Sequence, residues 1–204
     1  MVAGDKDGLV VVYSAATLAA LWECHLAETG GIEKLRVSSD SAMVFAGSFA
    51  GPVFGWAAGE GGDPTVFEGH TGDVSGLRMA GPNEEFLVTS ARDGDVRLWD
   101  RSDGRCVSVL REHVHGVSCL AVDGDRIYSA GRDKKVKVWP GPPHSPEAVG
   151  DGPGPASVAT FEPHGGGIRG LVVDAETNTL YAGGFDFVVH AYDLKVSDSA
   201  GVWG

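Results

Sequence analysis

Basic residues are scarce in this chain: 16 Lys and Arg stand against 28 Asp and Glu, a formal net charge of −12 over 204 residues. Nonspecific nucleic-acid binding draws on clustered cations that release counterions from phosphates, so nucleic acid is not an expected partner. Cysteine is scarce too. Cys24, Cys106 and Cys119 form no C-x-x-C pair, and an odd count without a glycosylation sequon suits a reducing compartment better than a disulfide framework. No apolar run reaches the length of a membrane span; the most apolar stretch, 9–22, is split by Ser14 and Thr17 and reads in its first half as a buried strand. The opening residues carry acids where a signal peptide needs a basic region. A soluble protein inside the cell, cytoplasmic or nuclear, without membrane contact, is the expectation. What is abundant is glycine, 31 residues, in a chain that is 43% hydrophobic and 22% charged. That suits a globular protein of many short strands joined by tight turns.

The chain repeats. "TSARDGDVRLWD" at 89–100 and "SAGRDKKVKVWP" at 129–140 share Ser/Thr-x-x-x-Asp-x-x-x-x-x-Trp. With the aromatic as ruler, Tyr13, Trp56, Trp99, Trp139 and Tyr192 are spaced by 43, 43, 40 and 53 residues. Six residues before each stands Asp7, Ala50, Asp93, Asp133 or Asp186. Further upstream, His70, His113 and His164 are each followed four residues later by Val74, Val117 and Ile168, which mark strand starts. Within one unit, apolar alternation predicts strands near 73–79, 86–90, 95–99 and 105–110, separated by Gly, Asn, Asp and Ser turns.

Four strands per unit of about forty residues, with "GH" before the first and "WD" after the third, resembles the WD40 repeat family. The resemblance implies an all-β fold, a WD40-type β-propeller or partial propeller of four-stranded antiparallel blades. It also implies a hydrogen-bonded tetrad in each complete repeat: His70, Thr89, Asp93 and Trp99 in one, His113, Ser129, Asp133 and Trp139 in the next. Other units depart from it. Residues 25–67 have Ala46 and Ala50 at the Ser and Asp positions and Glu28 where His would stand, so packing alone should hold that blade. The last unit keeps His164 and Asp186 but has Ala182 and Tyr192; the first keeps Asp7 with Ala3 and Tyr13.

One domain is expected over 1–204: a partial blade at 1–24 and blades at about 25–68, 69–112, 113–162 and 163–204. A Pro/Gly-rich insertion at 140–155 accounts for the longest spacing and leaves the third strand of its blade. Residues 195–204 could add one last strand. The family usually has about seven blades, so the ring is expected to be completed by further blades or by an oligomer.

Several patterns imitate chemistry. Gly165 to Gly170 spells GxGxxG, but a strand follows where a dinucleotide site needs a helix. Asp5-Lys6-Asp7-Gly8 and Asp123-Gly124-Asp125 open like calcium loops but lack the closing Glu. His113, His115 and Cys119 have no second ligand pair at zinc spacing. Pro143-x-x-Pro146 matches only the minimum of a proline-rich ligand. No metal, cofactor or catalytic residue is therefore expected, and no enzyme activity.

Function in such a fold has to lie in its loops. The residue before each turn Asp occupies an equivalent place in every blade, on the face where the family often binds peptides: Lys6, Phe49, Arg92, Arg132 and Phe185. Three cations and two aromatics make a rim suited to an acidic or phosphorylated segment. The expectation is a non-catalytic scaffold or adaptor with a protein or peptide partner. The alternative is a regulatory repeat segment of a larger enzyme, a kinase or a ubiquitin-ligase substrate receptor, whose other domains lie outside these residues.

Overall fold

A strand covered on both faces needs apolar or small residues throughout; one covered on a single face needs them at every second position. The computed structural model, which describes residues 1–26, 29–124, 126–142, 154–162 and 164–195, contains both kinds. β9 (Phe86–Ala91), FLVTSA, is buried at every position, whereas β18 (Val189–Asp193), VHAYD, alternates exposed and half-buried.

The strands form five antiparallel sheets in chain order. The first holds β1 (Val2–Gly4), β2 (Leu9–Tyr13) and β3 (Ala20–His25); the second, β4 (Ile32–Val37), β5 (Met43–Ser48), β6 (Val53–Ala57) and β7 (Gly61–Phe67). The third holds β8 (Val74–Ala80), β9, β10 (Val96–Asp100) and β11 (Cys106–Leu110). The fourth holds β12 (Val117–Asp123), β13 (Arg126–Gly131), β14 (Val136–Pro140) and β15 (Ala159–Phe161), and the fifth β16 (Ile168–Asp174), β17 (Thr179–Gly184) and β18. Among the described residues there is no α-helix, and the architecture is the all-β arrangement of blades that the repeat implies. All but the first residue of the last strand expected at 195–204 lies outside the described residues, as do Pro143, Pro146, Asp125, Glu28 and 143–153 of the insertion.

The first strands of successive sheets lie side by side in the order β1, β4, β8, β12, β16. Ser75 Oγ donates to the Val117 carbonyl at 2.7 Å, tying β8 to β12. This approach is close enough that a Cβ on Gly76 would stand 2.9 Å from Leu120 Cβ. The core is therefore divided into layers between sheets. Phe45, Val53 and Phe67 meet Val74, Leu77 and Trp99 between the second and third sheets; Val88, Val96 and Leu110 meet Leu120, Ile127 and Trp139 between the third and fourth.

The fifth sheet presents one face to the fourth, and no other sheet among the described residues lies over its second face. In the fourth sheet Ala121, Tyr128 and Val136 are 6%, 1% and 0% exposed beneath the fifth. Their register equivalents in the fifth, Val172, Tyr181 and Val189, are 64%, 40% and 72% exposed. The same kind of surface that one sheet covers is open on the next.

Candidate functional site

The turn between second and third strands is built alike in each sheet. Its fourth residue takes a positive φ: Gly8 (86°), Gly51 (117°), Gly94 (92°), Lys134 (67°) and Phe187 (62°). Glycine adopts this without steric cost; a bulky side chain such as Phe187 does so against a strain of order 1–2 kcal/mol. The Asp before it works with both oxygens. Asp93 Oδ1 accepts the N–H of Asp95 at 3.0 Å; Oδ2 accepts from His70 Nδ1 and the N–H of Thr71, each at 2.9 Å. His70 Nε2 then lies 2.7 Å from Thr89 Oγ1, which also accepts from Trp99 Nε1 at 2.8 Å.

The next sheet repeats the chain of contacts. His113 Nδ1 is 2.7 Å from Asp133 Oδ2, His113 Nε2 is 2.8 Å from Ser129 Oγ, and Trp139 Nε1 donates to that hydroxyl at 2.8 Å. Because Nδ1 donates to the carboxylate, Nε2 is the acceptor of the hydroxyl proton. Burial pushes Asp93 and Asp133 toward the neutral acid, but the histidine and backbone donors outweigh it and hold both below the ordinary carboxylate range. Both hydroxyls are buried and fully occupied, so neither is available as a nucleophile.

The residues before the turn Asp share a backbone position. Phe49, Arg92, Arg132 and Phe185 each donate their N–H to the residue just before the first strand of their own sheet, namely Gly31, Asp73, Gly116 and Gly167, at 3.0–3.1 Å. Lys6 is exposed at the corresponding place in the first sheet. Of these five, Arg92 and Arg132 line a cleft of about 150 Å³ where the starts of β4, β8, β12 and β16 converge. Lys6, Phe49 and Phe185 are not among its lining residues.

Two further cations in that cleft, Lys34 and Arg169, were missed by sequence reasoning. They sit on first strands, one or two places after Ile32 and Ile168, and only the convergence of those strands brings them to the rim. Four cations thus face two carboxylates, Glu33 and Asp73. Arg92 Nε pairs with Asp73 at 3.2 Å and Lys34 with Glu33 at 3.2 Å. Arg169 lies 5.2 Å from the centroid of the Phe185 ring, and Arg132 has no charge partner among the described residues.

One cluster has the composition of a metal-ligand set: His164, Asp186 and His190, with ligand atoms within 4.8 Å of one another. The spacing of 22 and four residues carries no strong sequence signal, which is why none was expected. Cys119, considered with His113 and His115, is half-buried and its thiol is pushed up to about 12 by burial.

Residues 62–100 and 104–140 match the family described as WD domain, G-beta repeat. The nuclear distribution protein nudF of Emericella nidulans is 36% identical over 78 residues, covering 36% of this chain and 17% of nudF. GID complex subunit 7 of Schizosaccharomyces pombe is 24% identical over 139 residues, covering 66% of this chain and 27% of that protein. The aligned stretches thus span less than a third of these curated relatives. The crystal structure of the computationally designed Ika8 protein superposes with a TM-score of 0.76 at 22% identity, covering 94% of this chain and 54% of that one. That likeness concerns the fold alone.

Proposed function

The chain carries WD40 repeats, and from that premise we propose that it is a non-catalytic scaffold that holds an acidic or phosphorylated peptide segment at the mouth of the cleft between its first strands. A protein-interaction role is the general property of such repeats. The finer reading rests on one observation: Lys34, Arg92, Arg132 and Arg169 come from four different sheets to one cleft, in a chain whose net charge is −12. Guanidinium groups bind carboxylate or phosphate oxygens through paired donors. Arg132, whose side chain has no charge partner among the described residues, is the group with most to gain from an anion. The cleft has room for one acidic side chain rather than a folded domain.

The test is fluorescence anisotropy with a labelled acidic peptide carrying one phosphoserine, alongside its unphosphorylated form. The wild-type chain should bind, more weakly as salt rises. R92E/R132E should lose at least tenfold in affinity with an unchanged thermal melt, because both side chains lie at the surface rather than in a core. Equal binding by the double variant, or none by the wild type at low salt, sinks the reading.

The bare face of the fifth sheet favours a second reading that does not exclude the first: this face takes another sheet of the same construction. Exposed Val172, Tyr181 and Val189 stand where the fourth sheet buries Ala121, Tyr128 and Val136. Light scattering should show the chain self-associating as concentration rises, and V172K/V189K should hold it monomeric. A wild-type chain that stays monomeric at every concentration reached would be evidence against a second copy on this face.

A further inference from the structure

The turn after the second strand of the fifth sheet departs from its counterparts in side chain, though not in backbone. The residue that takes a positive φ is Gly8, Gly51 and Gly94 in the first three sheets and Lys134 in the fourth. In the fifth it is Phe187, at 62°. A glycine would take that conformation without strain, so the phenylalanine lowers the stability of its own turn. Burial does not offset this. Phe187 is 97% exposed, and Phe185, on the other side of the turn Asp, is 62% exposed. A strained aromatic that faces solvent does nothing for the fold that glycine would not do better, and strain of this kind collects where ligands bind.

The turn is nonetheless firmly held. Asp186 Oδ1 accepts the N–H of Val188 at 3.3 Å, and the N–H of Phe187 goes to the Gly184 carbonyl at 3.3 Å. Asp186 Oδ2 is 2.8 Å from His164 Nδ1 and accepts the N–H of Gly165 at 3.1 Å. This anchorage persists although Ala182, standing where Thr89 and Ser129 do, leaves the buried His164 Nε2 without a hydrogen-bond partner among the described residues. The backbone that carries both rings is thus set in advance, which reduces the entropy lost when a ligand binds.

The same turn adjoins the cationic cleft. Arg169, one of the cations that line it, lies 5.2 Å from the centroid of the Phe185 ring. A Cβ on Gly167 would meet Arg132 Cα at 3.5 Å and Phe185 Cδ2 at 3.7 Å, so the arginine turn of the fourth sheet and the aromatic turn of the fifth flank one glycine.

We propose that Phe185 and Phe187 form an apolar subsite for the same peptide whose acidic or phosphorylated residue the cleft holds. The ligand then carries an aromatic or large aliphatic side chain a short way along the chain from its acidic group, and this rests on the cleft taking that acidic group. Arg169 serves both halves, since its charge belongs to the cleft while it lies against the Phe185 ring. Cations alone accept any acidic segment; exposed aromatic anchors beside them select among such segments.

The experiment is fluorescence anisotropy on a phosphoserine peptide with alanine at all flanking positions, and on a series in which one phenylalanine moves through successive positions on either side of the phosphoserine. The wild-type chain should prefer one or two of these placements over the alanine parent by about fivefold, the gain of an aromatic pair. F187Y should keep that preference. F187A should bind every member as it binds the parent. F187G should do the same and, by relieving the backbone, raise the melting temperature by about 2–4 °C, so that lost affinity is not lost fold. R92E/R132E should weaken the whole series together. A wild-type chain that binds the parent but prefers no phenylalanine placement overturns the subsite and leaves the cleft reading standing. No binding of any member at low salt overturns both. An F187G variant that is more stable and keeps the full preference also overturns the subsite. So does loss of self-association in F187A and F187G with the preference intact, which would assign the turn to a contact between copies.

Discussion

Replacing Trp99 by alanine should lower the free energy of unfolding by about 3–5 kcal/mol, the largest effect expected of a single substitution here. Trp99 is 0% exposed between the second and third sheets. Its ring meets Phe67 edge to face at 5.9 Å and the His70 ring at 6.0 Å, and its Nε1 donates to Thr89. The substitution leaves a cavity that four-stranded sheets on either side cannot close, and it removes a donor from a buried network. Trp56 provides the control, because it is 1% exposed yet its Nε1 meets no hydroxyl among the described residues, Ala46 standing where Thr89 and Ser129 do, and only the weakly accepting Cys24 thiol is near it. Trp56→Phe should therefore cost less than Trp99→Phe by about 1 kcal/mol, the worth of the hydrogen bond. Urea midpoints of the four proteins decide the matter. Equal losses for the two Phe variants would mean that the tetrad adds nothing beyond packing.

Asp133→Ala should cost about 3 kcal/mol, since it strands several buried donors together. The side chain is 1% exposed and accepts from His113 Nδ1 at 2.7 Å and from the N–H of Lys135 at 3.3 Å, with the N–H of Val114 adding to the set. The loss should depend on pH in a defined direction. A carboxyl whose folded-state pKa lies below its unfolded value contributes stability that is complete above about pH 4 and is lost as pH falls through the folded value. The gap between wild type and Asp133→Ala should thus be full near neutrality and shrink below about pH 4. Asp186→Ala should cost less, because the Asp186 side chain is more exposed, at 11%, in a sheet covered on one face only. Denaturant titrations between pH 3 and 7 measure all three. A gap that does not change with pH would show that the carboxylate charge is irrelevant to the fold.

Much of this was legible along the chain. Strands expected near 73–79, 86–90, 95–99 and 105–110 occur at Val74–Ala80, Phe86–Ala91, Val96–Asp100 and Cys106–Leu110. The reason is local: alternation and turn residues act over two to five positions, and a Gly at a positive φ marks its own turn. The spacing of Asp93 and Trp99 likewise follows from one turn and one strand. The cations of the cleft were only half legible. Arg92 and Arg132 precede a turn Asp and could be aligned across repeats; Lys34 and Arg169 stand in no motif and belong to the cleft only because four first strands converge.

The amino-acid sequence by itself determined the strands, the turns and the repeat, since these depend on near neighbours and on side chains that must be buried every second position. The tertiary structure alone decided which charges face one another, that His190 turns onto His164, and that no sheet among the described residues covers the outer face of the fifth. Those properties come from distances between residues many positions apart, set by how sheets stack. The absence of a hydroxyl at Ala182 can be read from one letter; the orphaned nitrogen it leaves exists only once three strands and a loop have closed around it.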